Sequence, residues 1–171
     1  QLWNFSYLGV GGDTPLAYVA VDSEDNLIAA FQNEDETADS QLLLIKFNNT
    51  GAQLWNTTYW TGLSPSINGV TVDSNDNILI AATVPSNLAG FIKYDPDGQM
   101  LYSTNWSLGT QDFGMDIATD SRNNIILAGM SNNTVYKNRL IVKWDDDVPK
   151  WKNFYKTGLT TYLYNQSDLG A

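Results

Sequence analysis

The six residues VDSNDN at positions 72–77 decide the fold because they have two near copies, VDSEDN at 21–26 and TDSRNN at 119–124. The leading Asp recurs at Asp22, Asp73 and Asp120, spaced by 51 and 47 residues. An Asp at the start and an Asn at the end suit a hairpin turn. The carboxylate accepts from N–H groups further along the chain, and Asn or Asp tolerates the left-handed backbone of a tight turn. The competing reading is calcium, which takes six to eight oxygen ligands. It would draw on Asp22, Asp25 and Asn26, or on Asp73, Asp76 and Asn77. TDSRNN favours the turn, since Arg122 and Asn123 stand where a required cage needs carboxylates.

The flanks repeat as well. The first pass runs QLWNFSYLG (1–9), AYVAVDSEDN (17–26), LIAAF (27–31) and LLLIKFNNTG (42–51). The second runs QLWNTTYWTG (53–62), NGVTVDSNDN (68–77), ILIAATV (78–84) and GFIKYDPDG (90–98). The third runs MLYSTNWSLG (100–109), GMDIATDSRNN (114–124), IILAGM (125–130) and RLIVKWDDD (139–147), and a partial fourth begins at PKWKNFYKTG (149–158). Lys46, Lys93 and Lys143 keep the same period, with spacings of 47 and 50. The units are therefore residues 1–52, 53–98, 99–149 and a partial 150–171 of a single propeller domain or part of one.

Runs such as NILIAATV and LLLIKF are short, rich in branched and large apolar residues, and bounded by Gly, Asn, Asp or Pro, which predicts strands. No window of a dozen residues shows helical periodicity. The unbroken apolar character of ILIA predicts a strand covered on both faces. QLWN alternates instead, as an outer strand with one wetter face would, and its Trp can bury a ring while its N–H finds a partner. The expected fold class is all-β, with propeller-type blades of four antiparallel strands and about 50 residues per repeat.

VDSNDNILIAATV, followed by a strand and KYDPDG, resembles the SBBP-type β-propeller repeats, over about residues 1–164. The resemblance implies a secreted or surface-exposed propeller that binds or scaffolds, with no shared catalytic residues. Closed propellers have at least four blades, so three repeats and a fragment are fewer than closure needs. The order runs from an outermost strand through three inner-to-outer passes to another outermost strand. The inner strands of a last blade are then missing, apart from LTTYLYNQ (159–166) as a remnant. A longer polypeptide is the expectation, and self-association through open edges the alternative.

The totals narrow the partners. A net charge of −10, with sixteen Asp and three Glu, repels nucleic acid and anionic membranes alike. No apolar run is long enough to span a membrane, and no signal segment opens the chain, so Gln1 reads as a mature or trimmed start. With neither Cys nor His, there is no disulfide framework, thiolate metal site or Ser-His-Asp triad. Six Asn-x-Ser/Thr sequons, at Asn4, Asn48, Asn56, Asn105, Asn132 and Asn165, point to an exported glycoprotein, whereas about three are expected by chance. Asn-rich loops are the plainer explanation.

Lys46, Lys93 and Lys143 sit inside apolar strands, where an unpaired ammonium is costly, and are expected to pair with Asp22, Asp73 and Asp120 in a structural role. Solvated outer faces are the other reading. YDPDG (94–98) and WDDD (144–147) read as turns, with Asp145 and Asp147 joining Asp22, Asp73 and Asp76 as the calcium candidates, so no cofactor is expected beyond that. Asp112 and Asp116 flank FGM, and Glu34, Asp35 and Glu36 form a charged loop, but nothing selects a catalytic pair. Trp60, Trp106, Phe113 and Tyr136, near the loops, are candidates for a sugar-stacking or protein-contact surface. The expected function is a non-catalytic extracellular or cell-surface scaffold for protein or glycan interaction. The alternatives are a filament or surface-layer subunit assembling through blade or strand edges and, last, a lyase or hydrolase.

Overall fold

A computed structural model describes residues 2–6, 17–34, 40–59, 66–84, 88–106, 110–132, 137–145, 148–155 and 161–164. These form thirteen strands in three open antiparallel sheets. The first sheet runs β1 (Ala17–Val21), β2 (Leu27–Glu34), β3 (Ser40–Phe47) and β4 (Gln53–Tyr59), each strand beside the next. The second runs β5 (Ser66–Val72), β6 (Ile78–Val84), β7 (Leu88–Tyr94) and β8 (Met100–Trp106). The third runs β9 (Gln111–Thr119), β10 (Ile125–Asn132), β11 (Lys137–Asp145), β12 (Val148–Tyr155) and β13 (Thr161–Tyr164).

Sheets and sequence repeats are out of phase by one strand. The QLWN-type strand that opens a repeat closes the sheet of the repeat before it, as β4 does by pairing with β3. Its alternation is as the sequence predicts: Trp55, Thr57 and Tyr59 are half-buried while Leu54, Asn56 and Thr58 face water.

Sheet-on-sheet packing explains the unbroken apolar strands. Ile78 and Ile80 of β6 face the first sheet, where they meet Ile28, Ala30, Leu42 and Leu44. Their neighbours Leu79 and Ala81 face the third sheet and meet Ile117, Ile125, Leu127, Leu140 and Val142. The second sheet is thus buried on both sides. The outer face of the first sheet buries Ala29, Leu43, Ile45 and Phe47 under Trp3, which the chain supplies from residues 2–6.

The inner strands approach closely. A methyl group on Gly114 of β9 would lie 2.9 Å from the Ala82 carbonyl oxygen, so only glycine admits the third sheet to this depth. Asn68 is the extra residue of a β-bulge in β5, and its Nδ2 donates to the Gly114 carbonyl at 2.6 Å and to Thr83 Oγ1 at 3.2 Å. A second family of bulges falls beside each periodic lysine, after Lys46, Lys93 and Lys143.

The partial fourth unit differs from its expected place. LTTYLYNQ, read as a remnant of inner strands, instead contributes β13, which pairs with β12 and gives the third sheet five strands rather than four. Chain proximity explains this, because an antiparallel neighbour is one short connection away.

Candidate functional site

The repeated clusters fold as three superimposable hairpin turns. The N–H of Asp25, Asp76 and Asn123 donates to the carbonyl of Asp22, Asp73 and Asp120 at 3.2, 3.0 and 2.9 Å. Each of these donors has a φ of 61°, in the left-handed region. The leading carboxylate organises the rest. Asp73 Oδ1 accepts from the N–H of Asn75 and of Asn77, both at 2.9 Å, and Asp73 Oδ2 accepts from Asn77 Nδ2 at 2.9 Å. Asp22 with Asn26 and Asp120 with Asn124 repeat the pattern.

The periodic lysines close on the same carboxylates. Lys46 Nζ lies 2.9 Å from Asp22 Oδ2, Lys93 Nζ 3.1 Å from Asp73 Oδ2, and Lys143 Nζ 2.6 Å from Asp120 Oδ2. The first two pairs are buried, with side chains at most 8% exposed, while Lys143 retains 38%. Each bond ties the turn between the two innermost strands to the third strand of its own sheet. Lys46 and the indole N–H of Trp55 also donate to the Pro96 carbonyl at 3.2 and 3.1 Å, which links the first sheet to the outer turn of the second.

These bonds set the ionisation of the site. Burial alone would raise the Asp22 carboxyl, but donors from Asn26, Lys46 and the turn backbone outweigh it and hold the group down at about 2. Asp73 has the same opposition, burial against Asn77, Lys93 and two backbone N–H groups, with the same downward outcome. In Asp120 the Lys143 bond is the leading cause and lowers the carboxyl further.

Neighbouring turns are also joined to each other. The N–H and hydroxyl of Ser23 donate to the two carboxylate oxygens of Asp76 at 2.9 and 2.7 Å. One sheet further on, the N–H of Ser74 donates to Asn123 Oδ1 at 3.0 Å. The left-handed residues of the second and third turns therefore accept from the serine of the turn before. Sequence reasoning missed this ladder, whose signal was a side chain with an acceptor, rather than glycine, at every left-handed position of the inner turns.

The arrangement bears on the calcium candidates: Asp22 and Asp73 are engaged by turn N–H groups and lysine, and Asp76 by Ser23. Asp145 ends β11, and Asp147 lies outside the described residues. The carboxylates flanking FGM are split in depth, since Asp112 is fully buried whereas Asp116 is exposed and accepts from the Ile117 N–H at 2.9 Å. Asp35 and Glu36 fall outside the described residues.

Of the aromatic candidates, Phe113 lies near the start of β9 and is half-buried, and Trp106 ends β8. Trp60 and Tyr136 fall outside the described residues. Asn4, Asn56 and Asn105 are exposed; Asn48 and Asn132 are half-buried, and Asn165 falls outside the described residues. Asn48 also serves as a turn acceptor, taking bonds from the N–H groups of Thr50 and Ala52.

No family model matches the chain, and no curated protein does. Among solved structures, a protein of unknown function from Bacteroides caccae is similar over 94% of this chain and 64% of its own, at a TM-score of 0.49 and 11% identity. The chain thus spans less than two thirds of that protein's length.

Proposed function

We propose that the three sheets are successive blades of a β-propeller serving as a non-catalytic scaffold outside the cell or at its surface, where it binds a protein or glycan ligand. The observation that carries this reading is the use to which the periodic polar residues are put. Lys46, Lys93 and Lys143 with Asp22, Asp73 and Asp120 fasten turn to strand inside each sheet. Asp76 and Asn123 fasten sheet to sheet. Groups engaged in this way hold geometry, and a rigid scaffold leaves recognition to the loops it presents. The acidic surface favours a neutral or basic ligand over nucleic acid.

A glycan array probed with the labelled chain tests the binding reading. Retention of a defined glycan set without product formation is the expected outcome, and turnover of any retained glycan would reinstate an enzyme. Export predicts added mass when the chain is secreted from a glycosylating host, with Asn4, Asn56 and Asn105 the first sites to be modified because they are exposed.

A second reading, assembly through blade faces, is favoured by apolar residues left open at both ends of the stack. Val19 and Val21 on the first sheet and Ile141 on the third are exposed. Sedimentation at micromolar concentration separates the two, since an assembling subunit grows with concentration and a monomeric scaffold does not.

A further inference from the structure

The ladder of turns has an open acceptor end, and the repeat shows what fits it. Ser23 donates to Asp76 and Ser74 to Asn123, so Asp25, the equivalent left-handed residue of the first turn, is the next acceptor in the series. Among the described residues no side chain or N–H donates to its carboxylate. The face around it is open in the same sense. Val19 occupies the repeat position of Val70 and Ile117; Ile117 is 5% exposed and Val70 packs on the first sheet, but Val19 is 65% exposed. Val21, at the position of Val72, is likewise exposed where its counterpart packs.

Among the described residues, cover over this face comes from residues 2–6, on its outer part. Trp3 lies over Gly51, at 2.7 Å from where a Cβ would stand, as Trp55 lies over Gly98 at 2.9 Å. Trp55 belongs to the fourth strand of the preceding sheet, so residues 2–6 occupy the fourth-strand position of a sheet whose first three strands would lie over Val19 and Val21.

We infer that the Asp25 face of the first sheet is a docking surface for a three-stranded sheet of the same repeat. The serine of its Asp-Ser-x-x-Asn turn donates to Asp25, and residues 2–6 supply its fourth strand. The third sheet of a second copy does not match, because it already has a fourth strand in β12, which would compete with residues 2–6 for one position. This inference rests on the blade reading above and extends it to a specific contact.

The test places a copy of residues 66–99 directly before Gln1, so that Trp3 follows the turn glycine by four residues, as Trp55 follows Gly51 and Tyr102 follows Gly98. Melting temperature and amide hydrogen exchange are then measured for the parent and extended chains, each with and without Asp25→Ala. The expected result is a melting temperature at least about 5 °C above the parent, exchange protection across the added strands, and partial loss of the gain on Asp25→Ala. In the parent chain Asp25→Ala costs only the left-handed backbone preference of an aspartate at φ 61°, and the melting shift measured there is the baseline that the loss in the extended chain exceeds. Protected added strands with an unchanged response to Asp25→Ala would overturn the Asp25 contact while leaving the blade reading in place. Added strands that exchange freely would overturn the docking surface itself.

Discussion

At the scale of single residues, depth decides what each Lys–Asp pair is worth. Lys93 and Asp73 are at most 3% exposed, so removing the ammonium strands a carboxylate in a site that water does not reach. Lys93→Met is expected to cost about 3–5 kcal/mol in urea unfolding. Adding Asp73→Asn should recover much of that loss, because the amide oxygen still accepts from the N–H groups of Asn75 and Asn77 while the orphan charge is gone. A double variant no more stable than Lys93→Met would show that packing of the lysine stem, rather than charge, sets the cost. Lys143→Met should be the mildest of the three lysine substitutions, since its side chain is 38% exposed and water can replace it. The pairing was legible in the sequence from one fact, a lysine recurring in phase with an aspartate inside apolar strands. The gradient of burial was not, because it depends on which sheet lies between two others.

At the scale of the element, two kinds of hairpin turn solve one backbone problem differently. The outer turns put Gly51 and Gly98 in the left-handed position, with φ of 86° and 82°. The inner turns put Asp25, Asp76 and Asn123 there, and the strain is offset at Asp76 and Asn123 by a bond to the neighbouring turn. Gly98→Ala should cost about 1–2 kcal/mol, since a methyl group would be strained at this φ and would also press on Trp55. Asp76→Ala should cost about the same through the lost Ser23 bonds. Asp76→Gly should cost less than Asp76→Ala, because glycine relieves the strain while losing the same bonds. Chemical denaturation of the three variants orders them, and equal losses for the two Asp76 variants would remove backbone strain from the account. The sequence showed both families of turn. It did not show the serine-to-aspartate rungs, since each joins residues about 50 positions apart that meet only after the sheets stack, nor the bulges, which add one residue to a strand without altering its composition.

At the scale of the whole molecule, the sequence conveyed strand content, period and phase, because these follow from apolar runs and turn residues that repeat. It misplaced LTTYLYNQ, whose pairing with β12 is set by proximity along the chain rather than by the repeat it was compared with. The repetition also predicts how the fold meets acid. Asp22, Asp73 and Asp120 are all held below the ordinary carboxylate value of about 3.9, Asp22 at about 2. A carboxyl depressed in the folded state adds stability that is complete above its unfolded value and disappears as pH falls through its folded value. Stability should therefore be level from pH 7 to about 5 and fall between about pH 4 and 2. Each protonation weakens a turn and its lysine bond in a different sheet, and the sheets share their cores, so the losses should merge into one cooperative transition. Asp22→Asn removes one titrating group and should flatten the acid limb of the urea midpoint against pH, while lowering the plateau at neutral pH. An acid limb as steep in Asp22→Asn as in the parent would remove Asp22 from the acid transition.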